Sequence, residues 1–138
     1  MQPIPYLYFP DTAEEALRAY ARILGAPEPQ IMRASEVPGE NGPGEVPHER
    51  PNAVMHAALK VGEGWIYASD HGGAQPMAGS QVAIAFDTPQ RAREVFDALA
   101  EGGTVEMAFE PTFWSPGFGA VTDRWGTRWA VDTEAPRA

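Results

Sequence analysis

An α+β fold of two tandem β-α-β-β-β modules sharing a cupped mixed sheet is what this sequence predicts. Three observations predict it. Asp11-Thr12 opens a helical stretch with Ala16, Tyr20 and Ile23 on one face, and Asp87-Thr88 opens another with Ala92, Phe96 and Leu99 at the same offsets. Each stretch follows a short apolar run, Pro5-Tyr6-Leu7-Tyr8-Phe9 in the first half and Val82-Ala83-Ile84-Ala85-Phe86 in the second. Each is followed by what reads as a strand pair ending near a tryptophan, Trp65 and then Trp129. Helices in general reuse such apolar spacing, so the argument for duplication rests on the repeated order of elements. Two modules side by side make a cup, and a cup is a place to hold a small molecule.

The elements follow in order along the chain. Thr12 and Glu15 have the spacing of a capping box, in which hydroxyl and carboxylate satisfy orphan backbone donors reciprocally. Ala13, Ala16, Leu17, Tyr20, Ile23 and Leu24 then keep a helical period, and Gly25 suits the left-handed position after the last turn. Strands are expected near 27–33, 53–61 and 64–70, the last two joined by a tight turn at Val61-Gly62-Glu63-Gly64-Trp65. In the second half Thr88 caps a helix with Pro89 in its first turn, where a missing donor costs nothing. Ala92, Val95, Phe96 and Leu99 form its apolar face, and Gly102-Gly103 stops it. Strands are expected at 81–87, 104–108, 117–123 and 127–133, with Asp123-Arg124-Trp125-Gly126-Thr127 as the second hairpin turn.

Three stretches do not read as regular structure. Residues 34–52 carry four prolines, three glycines and four glutamates, the composition of a mobile loop or a lid. Residues 70–80 read as the connection between modules. Phe109 to Gly119 sets four aromatics among proline and glycine, either as a platform closing over a ligand or as a cap on the core. The whole chain is expected to be a single domain, with module 1 at about 1–70, a linker at 71–79 and module 2 at about 80–138.

Composition bounds the partners. In 138 residues, ten Lys and Arg stand against nineteen Asp and Glu, for a formal charge of −9. Such a surface repels phosphate backbones, so nucleic acid is not an expected partner. The absence of cysteine removes disulfides, thiolate metal sites and a cysteine nucleophile. The first residues lack a basic leader followed by an apolar run, and no window nears the ~20 apolar residues of a membrane helix. A cytoplasmic protein with no membrane partner is the expectation.

Single residues offer chemistry in a few places. His56 lies mid-strand, opposite in facing to Met55, Ala57 and Leu59. If those three face the helix, His56 points into the cup as a general base or metal ligand. The alternative is a strand histidine hydrogen-bonded to backbone or to water. His71 follows Asp70 at a strand end, where a carboxylate can orient an imidazole, or is a solvated loop residue. His48 lies inside the 34–52 loop. No phosphate-binding glycine loop, nucleophile elbow or Cys/His metal spacing is present.

Taken together, these stretches resemble the vicinal-oxygen-chelate superfamily (glyoxalase I, bleomycin-resistance proteins and extradiol dioxygenases), and within it the PhnB-like branch. The matching residues are Pro5 to Phe9 running into Ala13-Glu14-Glu15-Ala16, then Val54 to Leu59 and Glu101-Gly102-Gly103. Further on they are Thr112-Phe113-Trp114 and Phe118-Gly119, leading to Thr122-Asp123-Arg124-Trp125-Gly126 and Trp129. The resemblance implies a cupped sheet, commonly in a homodimer, and a divalent metal held by His, Gln or Glu on strands. The positions implied for those ligands fall near Pro5 or Tyr6, Tyr67, Ala83 and Ala130, none a usual metal ligand. The usual metal site is therefore not expected, and no cofactor is. Relatives in this branch often carry a demethylubiquinone methyltransferase label, but no glycine-rich motif for a methyl donor is visible.

Two functions compete on these grounds. One is a homodimeric binding protein whose cup holds a small, partly apolar molecule against Trp65, Tyr67, Phe113, Trp114 and Trp129. The other is a lyase- or isomerase-type enzyme, metal-independent or with a relocated metal site, using His56 as base with Asp70, Asp123 or Glu110. A third possibility is an interaction module whose aromatic loop makes the dimer.

Overall fold

A computed structural model describes residues 1–36 and 50–134. The chain divides into two compact units, Met1–Gln75 and Pro76–Ala138. In the first unit a strand, β1 (Tyr6–Phe9), leads into helix α1 (Ala13–Leu24), then β2 (Gln30–Arg33), a 3-10 turn (Ala34–Glu36), β3 (Val54–Val61) and β4 (Gly64–Asp70). The sheet order is β1-β4-β3-β2. β1 runs parallel to β4, and the other pairs are antiparallel.

Alternation along each strand divides the sheet into two faces. Leu7, Phe9, Ala57, Leu59, Ile66 and Ala68 are buried on the face that α1 covers. The helix contributes Ala16, Leu17 and Tyr20, all fully buried; burying a side chain the size of Leu17 is worth about 1.5–3 kcal/mol. Gly25 closes α1 at φ 67°, the left-handed position expected of it.

The start of α1 corrects the sequence reading. Thr12 sits at φ −117°, ψ 13° and makes no side-chain cap. Its place is taken by Asp70, at the far end of β4, whose Oδ1 accepts the Ala13 N–H at 3.0 Å. The other oxygen accepts the Val54 N–H at 2.9 Å. One carboxylate thus ties the helix N-terminus, where negative charge is favoured, to the beginning of β3. Arg33 at the end of β2 adds a second tie, donating to Glu14 on α1 at 2.8 Å and to the Asn52 carbonyl at 3.1 Å. The first strand of the 27–33 region begins at Gln30 because Pro27 and Pro29 have no N–H for a ladder.

In the second unit β5 (Val82–Phe86) leads to α2 (Pro89–Ala100), then β6 (Thr104–Glu110), β7 (Phe118–Thr122) and β8 (Arg128–Thr133). Its sheet order, β5-β8-β7-β6, repeats that of the first unit, with β5 parallel to β8. The duplication read from the sequence is therefore present in topology. Here the cap follows the expectation: Thr88 Oγ1 accepts the Arg91 N–H at 3.2 Å, and Pro89 stands at the first position. Ala92, Val95, Phe96 and Leu99 are buried against the sheet. Phe109 and Glu110 extend β6 rather than belonging to the following loop, and Phe109 packs on Phe96 with ring centroids 5.6 Å apart. Among the described residues no helix is long and apolar enough to cross a membrane. Most of the proline- and glycine-rich stretch expected at 34–52, His48 included, lies outside the described residues.

Candidate functional site

On the face of the first sheet away from α1, register brings together residues far apart in sequence. β1 and β4 pair Tyr6 with Tyr67 and Tyr8 with Ser69. Across the next two strands Tyr67 meets Ala58, and Ala58 meets Gln30, while Lys60 meets Trp65 and His56 meets Met32. One row across the sheet therefore reads Tyr6, Tyr67, Ala58, Gln30. Ala58 is the small residue in it, and a cleft of about 350 Å³ opens above. Its walls are Gln30, Ile31, Met32, His56, Trp65 and Tyr67, with Glu36 at the rim from the 3-10 turn.

The rings contact one another in sequence. His56 and Tyr67 meet edge-on at 4.8 Å, Tyr6 lies 5.7 Å from His56 and 6.1 Å from Tyr67, and Tyr6 lies 5.3 Å from Tyr8. Tyr8 continues to His71 at 5.0 Å. The Tyr6 hydroxyl lies 3.2 Å from His56 Nδ1. In the tautomer protonated at Nε2 the hydroxyl donates to Nδ1, which leaves Nε2–H as a donor to a ligand. His71 Nδ1 accepts the Gly73 N–H at 3.1 Å, a local loop contact.

The carboxylates suggested as partners for His56 are placed elsewhere. Asp70 lies on the helix-covered face, occupied by two backbone N–H groups. Asp123, 4% exposed, organises the β7–β8 turn. Its Oδ1 accepts the N–H groups of Trp125 at 2.9 Å and Thr127 at 3.0 Å. Its Oδ2 accepts the Trp129 indole N–H at 2.8 Å. Glu110 ends β6 and is exposed. Asp70 and Asp123 are thus structural, because each spends its lone pairs on buried or helix-terminal donors.

The expected ligand-stacking residues separate in the same way. Trp65 and Tyr67 line the cleft. Trp129 does not fit that role: it is fully buried in the second unit, hydrogen-bonded to Asp123, and has no face to offer a ligand. Phe113 is 98% exposed and Trp114 46% exposed, on an ordered β6–β7 loop. Thr112 Oγ1 accepts the Ser115 N–H at 3.1 Å, and the Thr112 N–H donates to the Ser115 carbonyl at 2.9 Å. Buried Ser115 donates to the Gly117 carbonyl at 2.9 Å. Phe113 meets Trp114 edge-on at 4.8 Å, and Trp114 meets Phe118 at 5.5 Å.

Tyr6, Tyr8, Gln30 and Met32 were not singled out as binding residues from the sequence. The alternation Tyr6-Leu7-Tyr8-Phe9 did carry the signal that both tyrosines share one face. In the second unit the equivalent row is Ala83, Ala130, Ala120, Met107. The positions implied for a superfamily metal, near Pro5 or Tyr6, Tyr67, Ala83 and Ala130, thus include two register pairs, Tyr6 with Tyr67 and Ala83 with Ala130. Alanine has no donor atom, and a neutral phenol is not a usual ligand for a divalent ion. Among the described residues no three or more His, Asp or Glu are grouped to hold a metal ion.

Comparison with known proteins places this geometry among relatives. Residues 2–132 match the family model described as 3-demethylubiquinone-9 3-methyltransferase. The chain is 32% identical over 136 residues to the protein YjdN of Escherichia coli, covering 93% of this chain and 92% of that protein. Among solved structures, protein PA1353 from Pseudomonas aeruginosa is 34% identical, with a TM-score of 0.82 and coverage of 97% and 98% of the two chains. A Bacillus cereus PhnB protein, described as a putative 3-demethylubiquinone-9 3-methyltransferase, is 22% identical with a TM-score of 0.74, covering 97% and 100%. The fold alone is shared with a glyoxalase/bleomycin resistance protein from Albidiferax ferrireducens, 14% identical with a TM-score of 0.67 over 98% and 99% of the chains.

Proposed function

Because this chain belongs to the 3-demethylubiquinone-9 3-methyltransferase family, the PhnB-like branch of the vicinal-oxygen-chelate superfamily, we propose that it binds a small, partly apolar molecule in the cleft of its first unit, without the superfamily's usual metal. The carrying observation is the cleft itself: about 350 Å³ walled by His56, Trp65, Tyr67 and Met32 over the small Ala58. Clefts of this size with aromatic walls and few polar groups are the usual form of a small-molecule site. His56, held by Tyr6, fixes the ligand's polar end.

The methyltransferase in the family's description receives no support from the residues. Among the described residues no glycine-rich strand-turn-helix connection is present to hold a methyl donor. Each sheet has four strands with only its outer pair, β1–β4 or β5–β8, parallel, not the open parallel sheet with a topological switch point. The donor chemistry of Tyr6, Tyr67, Ala83 and Ala130 argues in the same direction against the usual metal.

A second reading has one observation in its favour. The 3.2 Å contact between the Tyr6 hydroxyl and His56 Nδ1 also fits the other tautomer, in which Nδ1–H donates to the Tyr6 oxygen and Nε2 keeps its lone pair toward the cleft, so a metal-independent lyase or isomerase would use His56 Nε2 as base. Native mass spectrometry of the untreated protein separates the readings. A retained small organic mass without a metal supports the binding protein, and a stoichiometric divalent metal overturns it. Turnover lost in His56→Ala with ligand retention unchanged would favour the enzyme.

The same reading includes a homodimer acting in the cytoplasm. An ordered loop that holds Phe113 almost fully exposed supports a surface that another copy covers, and a cysteine-free chain suits a reducing compartment. Light scattering after size exclusion tests the first point: a monomeric mass would overturn it.

A further inference from the structure

We infer that the cleft of the first unit selects flat ligands that carry a positive charge, with Glu36 as counter-charge and the rings of Trp65 and Tyr67 as the surface the cation faces. This rests on the binding reading above and narrows it to a ligand class.

Four observations lead there. Among the described residues lining the cleft, Glu36 is the only acidic or basic group besides the imidazole of His56. The Trp65 ring already attracts an ammonium: Lys60 Nζ lies 5.9 Å from its centroid. Aromatic faces hold cations through their quadrupole, tryptophan most strongly, so the wall of the cleft offers a ring of the kind that attracts positive charge. Lys60 itself is exposed on the neighbouring strand and is not among the lining residues. Finally the chain's formal charge of −9 raises the local concentration of cations and repels anions.

The polar end of the cleft completes the picture. Held by Tyr6, His56 in its Nε2-protonated form presents a donor, so a ligand with an acceptor atom at its inner end and a cation toward Glu36 matches both ends. The volume suits roughly one or two fused rings. Met32, a soft side chain whose outer part is exposed, adapts to the outline of such a ring.

Three matched probes test this by isothermal titration of the full chain: 1-methylquinolinium, its neutral isostere 1-methylnaphthalene, and 1-naphthoate. The expected result is affinity for the cation roughly tenfold above that for 1-methylnaphthalene, with the anion weakest. Glu36→Gln is expected to weaken the cation about fivefold and leave 1-methylnaphthalene unchanged. Lys60→Met, which frees the Trp65 face, is expected to strengthen the cation about threefold. Ala58→Leu fills the floor of the cleft and should abolish binding of every probe; its fold is checked by circular dichroism. Equal affinity for all three probes, or preference for the anion, would overturn the charge selection while leaving the binding reading intact. Cation binding that survives Ala58→Leu would overturn the assignment to this cleft. If no probe binds wild-type protein, both the inference and the reading beneath it are wrong.

Discussion

Replacing Asp123 by Asn should unfold the second unit more readily than any other isosteric change in it. The carboxylate is 4% exposed and receives two backbone N–H groups on Oδ1 and the Trp129 indole N–H on Oδ2. Asparagine keeps the shape and one carbonyl oxygen, so the turn contacts of Trp125 and Thr127 persist in weakened, uncharged form. The amide NH2 then faces the indole N–H, donor against donor, inside the core. Losing a charge-assisted bond and leaving a buried donor unsatisfied each cost about 1–3 kcal/mol, which puts Asp123→Asn at about 2–6 kcal/mol. Trp129→Phe removes the donor and some core volume, about 2–3 kcal/mol. Once the indole N–H is absent, the asparagine no longer opposes it. The double variant should therefore cost about 1–2 kcal/mol less than the sum of the single ones. Urea unfolding followed by circular dichroism measures all four proteins, with an unchanged m-value as the condition for comparing them. Asp97→Asn serves as control, since its pairing with Arg93 is exposed and worth under about 1 kcal/mol. Additivity of the two changes within about 0.3 kcal/mol would refute this account of the turn.

The remaining predictions concern how the units are tied together internally. Asp70→Ala should lower stability by about 2–3 kcal/mol, because it uncaps α1 and strands the Val54 N–H. Thr12→Ala, by contrast, should stay within about 0.5 kcal/mol of wild type, and thermal unfolding of the pair shows which residue caps the helix. The carboxyl of Glu14 is held below its usual range by the hydrogen bond from Arg33, with partial burial opposing and Arg18 adding to the effect. A lowered folded-state value means this pairing stabilises above the ordinary carboxylate range and is lost as pH falls through the folded value. Arg33→Gln should therefore destabilise at neutral pH, and its difference from wild type should shrink as pH falls below the ordinary carboxylate range; a difference independent of pH would show that the ion pair contributes nothing. Gly103→Ala should be among the most damaging small changes, since its Cβ would stand 2.2 Å from the Thr122 carbonyl oxygen and 2.9 Å from Asp123 Cα, both backbone. A loss of about 3 kcal/mol or insoluble expression is expected, and wild-type urea stability would disprove the close approach.

Much of the fold was legible because its signals are local. Apolar period marked α1 and α2, the Thr88 cap marked the start of α2 alone, and glycines at 25, 102 and 103 marked where the helices stop. Tight turns placed the β3–β4 and β7–β8 hairpins, and the repeated order of elements placed the duplication. The site was only partly legible. His56, Trp65 and Tyr67 share a sheet face that alternation alone could assign, but Tyr6 and Tyr8 joined them through pairing across most of a module. Trp65 and Trp129 stand near the starts of the equivalent strands β4 and β8, yet the register matches Trp129 to Ile66 on the helix-covered face, while Trp65 walls a cleft.

The sequence by itself determined the elements, their order and which residues of each strand share a face, because those follow from covalent alternation and from hydrogen bonds a few residues apart. Only the tertiary structure decided the non-local choices. It set Asp70 rather than Thr12 at the head of α1, buried Trp129 against Asp123, and brought Tyr6 to His56 in β1–β4 register. The physical reason is that a buried or helix-terminal N–H is satisfied by whichever acceptor the packed chain brings within about 3 Å, and that acceptor need not be a neighbour in sequence.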